Sequence, residues 1–109
     1  MISIEEIARD RGLDNEDVIE FLQDFLEYTE QEDLERLREG LASGDYKKIR
    51  SSAHSIKGAA LNLKLDEIGS YAEKIEKKSA AEDLSEVPEL LNALTERMQV
   101  VRDFLKGRS

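Results

Sequence analysis

One histidine, a mid-segment glycine and several cations gather between Lys47 and Leu61 of this 109-residue chain. Lys57 follows His54 by three residues, Gly58 by four and Leu61 by seven, while Arg50 and Lys47 precede it by four and seven. On a helix those offsets share one side. A neutral imidazole nitrogen is a nucleophile, and the imidazole class, titrating at about 6.5, supplies one at neutral pH. An amine three residues along can reach a phosphoryl group on such a ring and offset charge on its oxygens. Glycine inside a helix costs about 1 kcal/mol relative to alanine, so Gly58 points to removal of bulk beside His54, where another molecule comes close. Singly, an exposed histidine, a surface leucine and a cation run are all ordinary. Jointly, in a chain of net charge −9, they point to a histidine presented to a partner and handling a phosphoryl group.

The segment from Tyr46 to Leu63 must carry these groups on a helix. At about 100° per residue, Tyr46, Ile49, Ala53, Ile56, Ala60 and Leu63 form an apolar stripe, and His54 lies about 140° from its centre. His54 is therefore expected to face solvent, with Gly58 and Leu61 on its side. A second helix, 67–79, places Leu65, Ile68, Ala72 and Ile75 at helical spacing. Glu76 lies about 60° from the centre of that stripe, at the seam between helices. From there it could reach the second ring nitrogen of His54 and fix the tautomer; a solvated edge carboxylate is the alternative. Glu73, nearer 120° off, is expected in water.

The remaining elements are helical as well. Ser3 with Glu6 reads as a capping box that opens a helix over 4–11, ended by Gly12. Asp14 caps a second, with Val18, Phe21, Leu22, Phe25 and Leu26 on one face. The stretch 27–33 (EYTEQED) is almost wholly polar before Leu34, Leu37 and Leu41 resume the pattern. Thr29 with Glu32 could cap a fresh helix there, or one long helix could run through with a kink. Gly44 closes this region, Asp45 caps the helix that carries His54, and Asp66 opens the next one. After a polar connection over 80–83, Ser85 caps a last helix with Pro88 in its first turn, where the missing N–H costs little. Val87, Leu91, Leu94, Met98, Val101 and Leu105 recur along it at three- and four-residue steps. No β-type alternation or hairpin signal appears. The expectation is an all-α fold, an antiparallel up-down four-helix bundle with an extra short N-terminal helix. It forms a single domain over 1–109 with the bundle core about 14–106.

Composition removes whole classes. Cysteine is absent and histidine occurs once, which excludes disulfides, thiolate chemistry and multi-histidine metal sites. A pI near 4.7 argues against nucleic acid as partner. No apolar run approaches the roughly 18–20 residues of a membrane span. The opening MISIEEIARDRG lacks the basic and apolar regions of a signal peptide, so a cytoplasmic location is expected. No Gly-rich phosphate loop or other ATP-binding motif is present.

The segment 53–64, AHSIKGAALNLK, resembles the signature of histidine-containing phosphotransfer (HPt) domains of two-component phosphorelays. That signature is roughly His-x-Leu/Ile-Lys-Gly-Ala/Ser-Ala/Ser on a bundle helix. The turn Ser43-Gly44-Asp45 before it and the helix from Leu65 to Glu76 after it extend the resemblance over most of 14–106. The resemblance implies that His54 is phosphorylated, that Lys57 contacts the phosphoryl group and that Gly58 leaves room for a receiver domain; Leu61, Arg50 and Lys47, on the same side of the helix, are read as docking residues. The position held here by Glu76 is commonly Gln in phosphorelay members, and a Glu is reminiscent of chemotaxis kinases. Lys64 stands where a Gly often follows the Asn-Leu/Ile pair.

A phosphoryl carrier without kinase activity of its own is implied, exchanging with the aspartate of receiver domains and supplied by a sensor histidine kinase. No cofactor is implied on this chain; Mg²⁺ is expected on the partner receiver. A monomer with no nucleic-acid or membrane partner completes this expectation. One alternative is the N-terminal phosphotransfer module of a chemotaxis-type kinase, for which the chain would continue past Ser109; a Met start and an end soon after the last helix favour a free-standing protein. An acidic helical adaptor with an incidental histidine is another. An acid–base enzyme using His54 with Glu76 would need a closed pocket, where the helix face looks convex.

Overall fold

The computed structural model describes residues 2–108. Helix α1 (Ile4–Arg11) begins where Ser3 Oγ accepts the Glu6 N–H at 3.2 Å and ends at Gly12, whose φ of +66° is free of Cβ strain. Helices α2 (Asn15–Tyr28) and α3 (Leu34–Ser43) are joined by a π-helical turn, Thr29–Asp33, into one continuous rod. Gly44, at φ +69°, breaks the rod, and the Asp45 carboxylate accepts the Lys48 N–H to open α4 (Tyr46–Asn62). Helix α5 (Asp66–Ala80) and the long α6 (Val87–Lys106) complete the chain.

The α2–α3 rod, α4, α5 and α6 are the four members of an antiparallel bundle, with α1 as the short addition. Contacts run in opposite chain order on adjoining members. Ser55 meets Asp33, and Ile49 lies over Gly40; Glu76 meets His54, and Leu61 lies over Gly69. The circle closes where α6 packs on α5 and on α2. Leu22, Leu34, Ile49, Ile56, Ile75 and Met98 are wholly buried at its centre. Placing the apolar stripes of five helices in one core supplies the dominant driving force for this arrangement.

The rod settles the two alternatives for 27–33: the helix runs through, without a fresh cap. Its physical reason lies in the buried residues Phe25, Thr29, Asp33 and Leu37, spaced by four. Four-residue steps advance about 400° on an α-helix, roughly 40° too far per turn. The wider π turn, in which the Leu34 N–H reaches Thr29 O, takes up that drift and keeps the row facing inward.

Several local expectations need correction. Ser85 does not cap α6; its N–H and hydroxyl both bond Asp83 Oδ1, and the helix starts at Val87 with Pro88 in its first turn. Asp66 lies inside the first turn of α5, and Ala80 is still helical. Phe21 is 44% exposed at the edge of its face, and Tyr46 is half-buried. Glu6 does not close the capping box; it pairs with Lys64 instead. Lys64 itself sits at φ +58°, the left-handed position that ends α4, with the Leu65 N–H reaching back to Ala60 O. Its amine pairs with Glu6 and Asp10 of α1, while Arg11 Nε donates to Asn62 O at 2.8 Å. Helix α1 thus supplies positive charge to the carbonyl end of α4.

Candidate functional site

Rotation of α4 decides what His54 can do. Ala53, Ile56 and Ala60 are fully buried against the other members, which turns the His54 side chain outward to 68% exposure. It stands on an open face, not in a cleft. One turn on, a Cβ built at Gly58 would meet nothing within 4 Å, so the surface beside the ring is cleared. Leu61, 44% exposed, continues this face. Its isobutyl group lies across Gly69 of α5, where a Cβ would come within 2.6 Å of Leu61 Cδ2.

Glu76 joins the two helices at the level of the imidazole. Its Oε2 is 2.7 Å from His54 Nδ1 and its Oε1 is 2.7 Å from Lys57 Nζ. The hydrogen bond from the Lys57 amine holds the Glu76 carboxyl below the ordinary glutamate range; partial burial opposes this, and the His54 ring adds to it. Lys57 is raised in turn, chiefly by Glu76. An ionised carboxylate only accepts, so Nδ1 is the protonated nitrogen and Nε2 carries the outward lone pair. The sequence places Lys57 toward a phosphoryl group; in the structure its amine rests on Glu76 instead. Glu73 points to water and pairs with Lys77.

Lys47 and Arg50 are exposed on α4 and, among the described residues, have no ion-pair or hydrogen-bond partner for their side chains. Lys48 is paired with Glu39 at 2.9 Å. Helix α4 contains no acidic residue, whereas its neighbouring rod is densely acidic. The helix that presents His54 therefore carries positive charge and no negative charge of its own.

Sequence reasoning missed the groove between α2 and α4. The exposed rings of Phe21 and Tyr28 rim it, over a floor that includes Phe25, Thr29, Ala59 and Leu63. The seven-residue spacing of Phe21 and Tyr28, two turns on one side of a helix, was the available signal. Below the groove, Asp33 is 1% exposed and accepts from Ser55 Oγ at 2.9 Å and from Arg36 Nη2 at 2.5 Å. The Arg36 guanidinium is raised by its polar neighbours, Tyr28 first and then Asp33, against the opposing effect of burial. Among the described residues no three His, Asp or Glu side chains gather as a metal site, and no helix is long and apolar enough to cross a membrane.

The model of the Hpt domain family matches residues 20–104. The fold is similar to a crystal structure of histidine-containing phosphotransfer protein B (HptB) from Pseudomonas aeruginosa PAO1. The TM-score is 0.85 at 23% sequence identity, covering 98% of this chain and 92% of that one. At that identity the likeness establishes the fold. No curated protein matches the sequence.

Proposed function

This chain belongs to the Hpt domain family, carriers of phosphoryl groups on histidine in two-component phosphorelays, and from that premise we propose that His54 is its phosphoryl acceptor. The observation that carries the reading is the Glu76 carboxylate 2.7 Å from Nδ1 of an exposed imidazole, beside a face cleared at Gly58. The donor is the aspartyl phosphate of a receiver domain, with a sensor histidine kinase upstream of it. The chain acts as a carrier in the cytoplasm, as a monomer, with no kinase activity of its own.

In the forward step the Nε2 lone pair attacks phosphorus and a P–N bond forms. The bond from phosphorus to the aspartyl oxygen breaks, and its electron pair leaves with the receiver carboxylate. Nδ1 keeps its proton, so the phosphorylated ring is cationic, and Glu76 offsets that charge across the hydrogen bond. Lys57, released from Glu76 toward the phosphoryl oxygens, offsets their negative charge. Transfer to a second receiver is the reverse. Mg²⁺ is assigned to the receiver, where it would stabilise the moving group; no residue of this chain is assigned to it. Gly58 and Leu61 form the centre of the docking face, the Phe21–Tyr28 groove its apolar flank, and Lys47 with Arg50 its cationic end.

The test is incubation with a radiolabelled, phosphorylated receiver domain, wild type against His54→Gln. The expected result is label on the wild type alone, lost in acid and kept in base. Equal labelling of the variant, or no transfer from any of several receivers, would make the acidic adaptor the better account.

A further inference from the structure

The polar stretch 27–33 has no part in the site described above, yet its buried carboxylate bonds the residue next to His54. We propose that Asp33 is a positioning residue for phosphotransfer. Through Ser55 it holds α4 at the rotation that presents His54. The inference rests on His54 being the phosphoryl acceptor.

Each oxygen of Asp33 serves a different element: Oδ2 takes the Ser55 hydroxyl of α4, and Oδ1 takes Arg36 of the same rod. A carboxylate at 1% exposure is expensive unless it is fully hydrogen-bonded. Apolar residues at such places are often no less stable, so stability alone does not account for a charge there. A π turn, a geometry concentrated at functional sites, brings it inward. A directional hydrogen bond adds to the packing of Ile49 and Ile56, which are wholly buried on this helix. Around Ser55 the inner face of α4 is made partly of small residues, Ser52, Ala53 and Ala60, which resist rotation about the helix axis less than large interlocking side chains do.

The lever is short. A group about 6 Å from a helix axis moves by roughly 1 Å when the helix turns by about 10°. A misplacement of that size at a reacting atom can cost about 10²-fold in rate. Ser55, one residue from His54, is therefore an effective place to pin the rotation.

The experiment uses the full chain and a phosphorylated receiver domain, with Ser55→Ala and Ser55→Thr beside the wild type. Each is assayed well below its melting temperature for its saturating transfer rate and its half-saturating receiver concentration. Ser55→Ala is expected to lower the saturating rate on the order of tenfold with half-saturation unchanged, as rotation of His54 requires. Ser55→Thr, which keeps the hydroxyl, restores the rate to within about twofold. The ¹⁵N signals of the His54 ring shift in Ser55→Ala and return in Ser55→Thr. A Ser55→Ala protein that melts earlier but transfers like wild type would mean a structural role only, and overturns the proposal. Equal slowing by Ala and Thr overturns it as well. If the wild type takes no phosphoryl group, the assignment of His54 fails first; normal wild-type transfer with an unaffected Ser55→Ala defeats the positioning role alone.

Discussion

Glu76 Oε2 lies 2.7 Å from His54 Nδ1 while the other oxygen of the same carboxylate lies 2.7 Å from Lys57 Nζ. One side chain thus sets the tautomer of the imidazole and the resting place of the amine. The two tasks can be separated by substitution. Glu76→Gln keeps an oxygen acceptor for Nδ1 but loses the charge that offsets a phosphorylated ring and holds Lys57. Glu76→Ala loses both. Transfer from a phosphorylated receiver should therefore fall about threefold to tenfold in the Gln variant and on the order of 100-fold in the Ala variant, the scale of a misdirected reacting group. Equal rates for all three proteins would mean that the ring needs no partner.

The two helical glycines facing α4's outer surface and its seam should respond in opposite ways. A Cβ at Gly58 meets open space, whereas at Gly69 it would collide with Leu61 Cδ2 at 2.6 Å. Gly58→Ala should stabilise the fold by about 0.5–1 kcal/mol through helix propensity alone. That corresponds to roughly 2–6 °C in melting temperature. Gly69→Ala should destabilise, because Leu61 must leave the seam. On the functional side, Gly58→Arg should block transfer from a receiver domain yet leave labelling by phosphoramidate, a small donor that needs no docking face. Loss of both reactions would place the defect in His54 itself.

Much of this was legible in the chain. The outward direction of His54, the inward stripe of α4 and the seam position of Glu76 all follow from counting about 100° per residue, because regular helices with short connections leave little freedom. The π turn was not legible. Thr29 and Asp33 are polar and read as surface, and only their four-residue register with Phe25 and Leu37 marks them as inward. Ser85 misled for a different reason: a serine before an apolar run resembles a cap, but Asp83, two residues earlier, takes its hydroxyl into a turn. Pairing of Lys57 with Glu76 was hidden as well, since it links two helices through side chains that have other rotamers open to them.

Acid should loosen this protein through identifiable carboxylates. Glu76 is held below the ordinary range first by Lys57, Asp10 by Lys64, and Asp83 by the Ser85 hydroxyl. A carboxyl whose folded value is depressed stabilises the native state above its unfolded value, and that contribution is lost as pH falls through the folded value. Ordinary carboxyl values are about 3.9–4.3, so the melting temperature should be nearly flat from about pH 5.5 to 8 and fall below about pH 4. The gap in melting temperature between wild type and Glu76→Gln should narrow over the same acid range, as protonation removes from the wild type what the substitution already removed. A gap that stays constant to pH 3 would show that Glu76 gains nothing from its partners.

Among the described residues, two non-glycine positions occupy left-handed backbone, Lys64 at φ +58° and Glu82 at φ +56°, each just past the end of a helix. Glycine adopts this conformation without the Cβ clash that costs other residues roughly 1–2 kcal/mol. The two sites differ in what the side chain gives back. Lys64 pairs with Glu6 and Asp10 and so fastens α1 to the end of α4. Glu82, among the described residues, has no ion pair or hydrogen bond through its side chain. Glu82→Gly should therefore stabilise by about 1 kcal/mol, less a few tenths for the greater freedom of glycine in the unfolded chain. Lys64→Gly relieves the same strain but releases two carboxylates, and its melting temperature should stay at or below that of wild type. Thermal melts of the two variants at low and high salt check this: only the difference between Lys64→Gly and wild type should shrink as salt screens the exposed pairs. Stabilisation by both substitutions to the same extent would mean that the Lys64 pairs contribute nothing to holding α1.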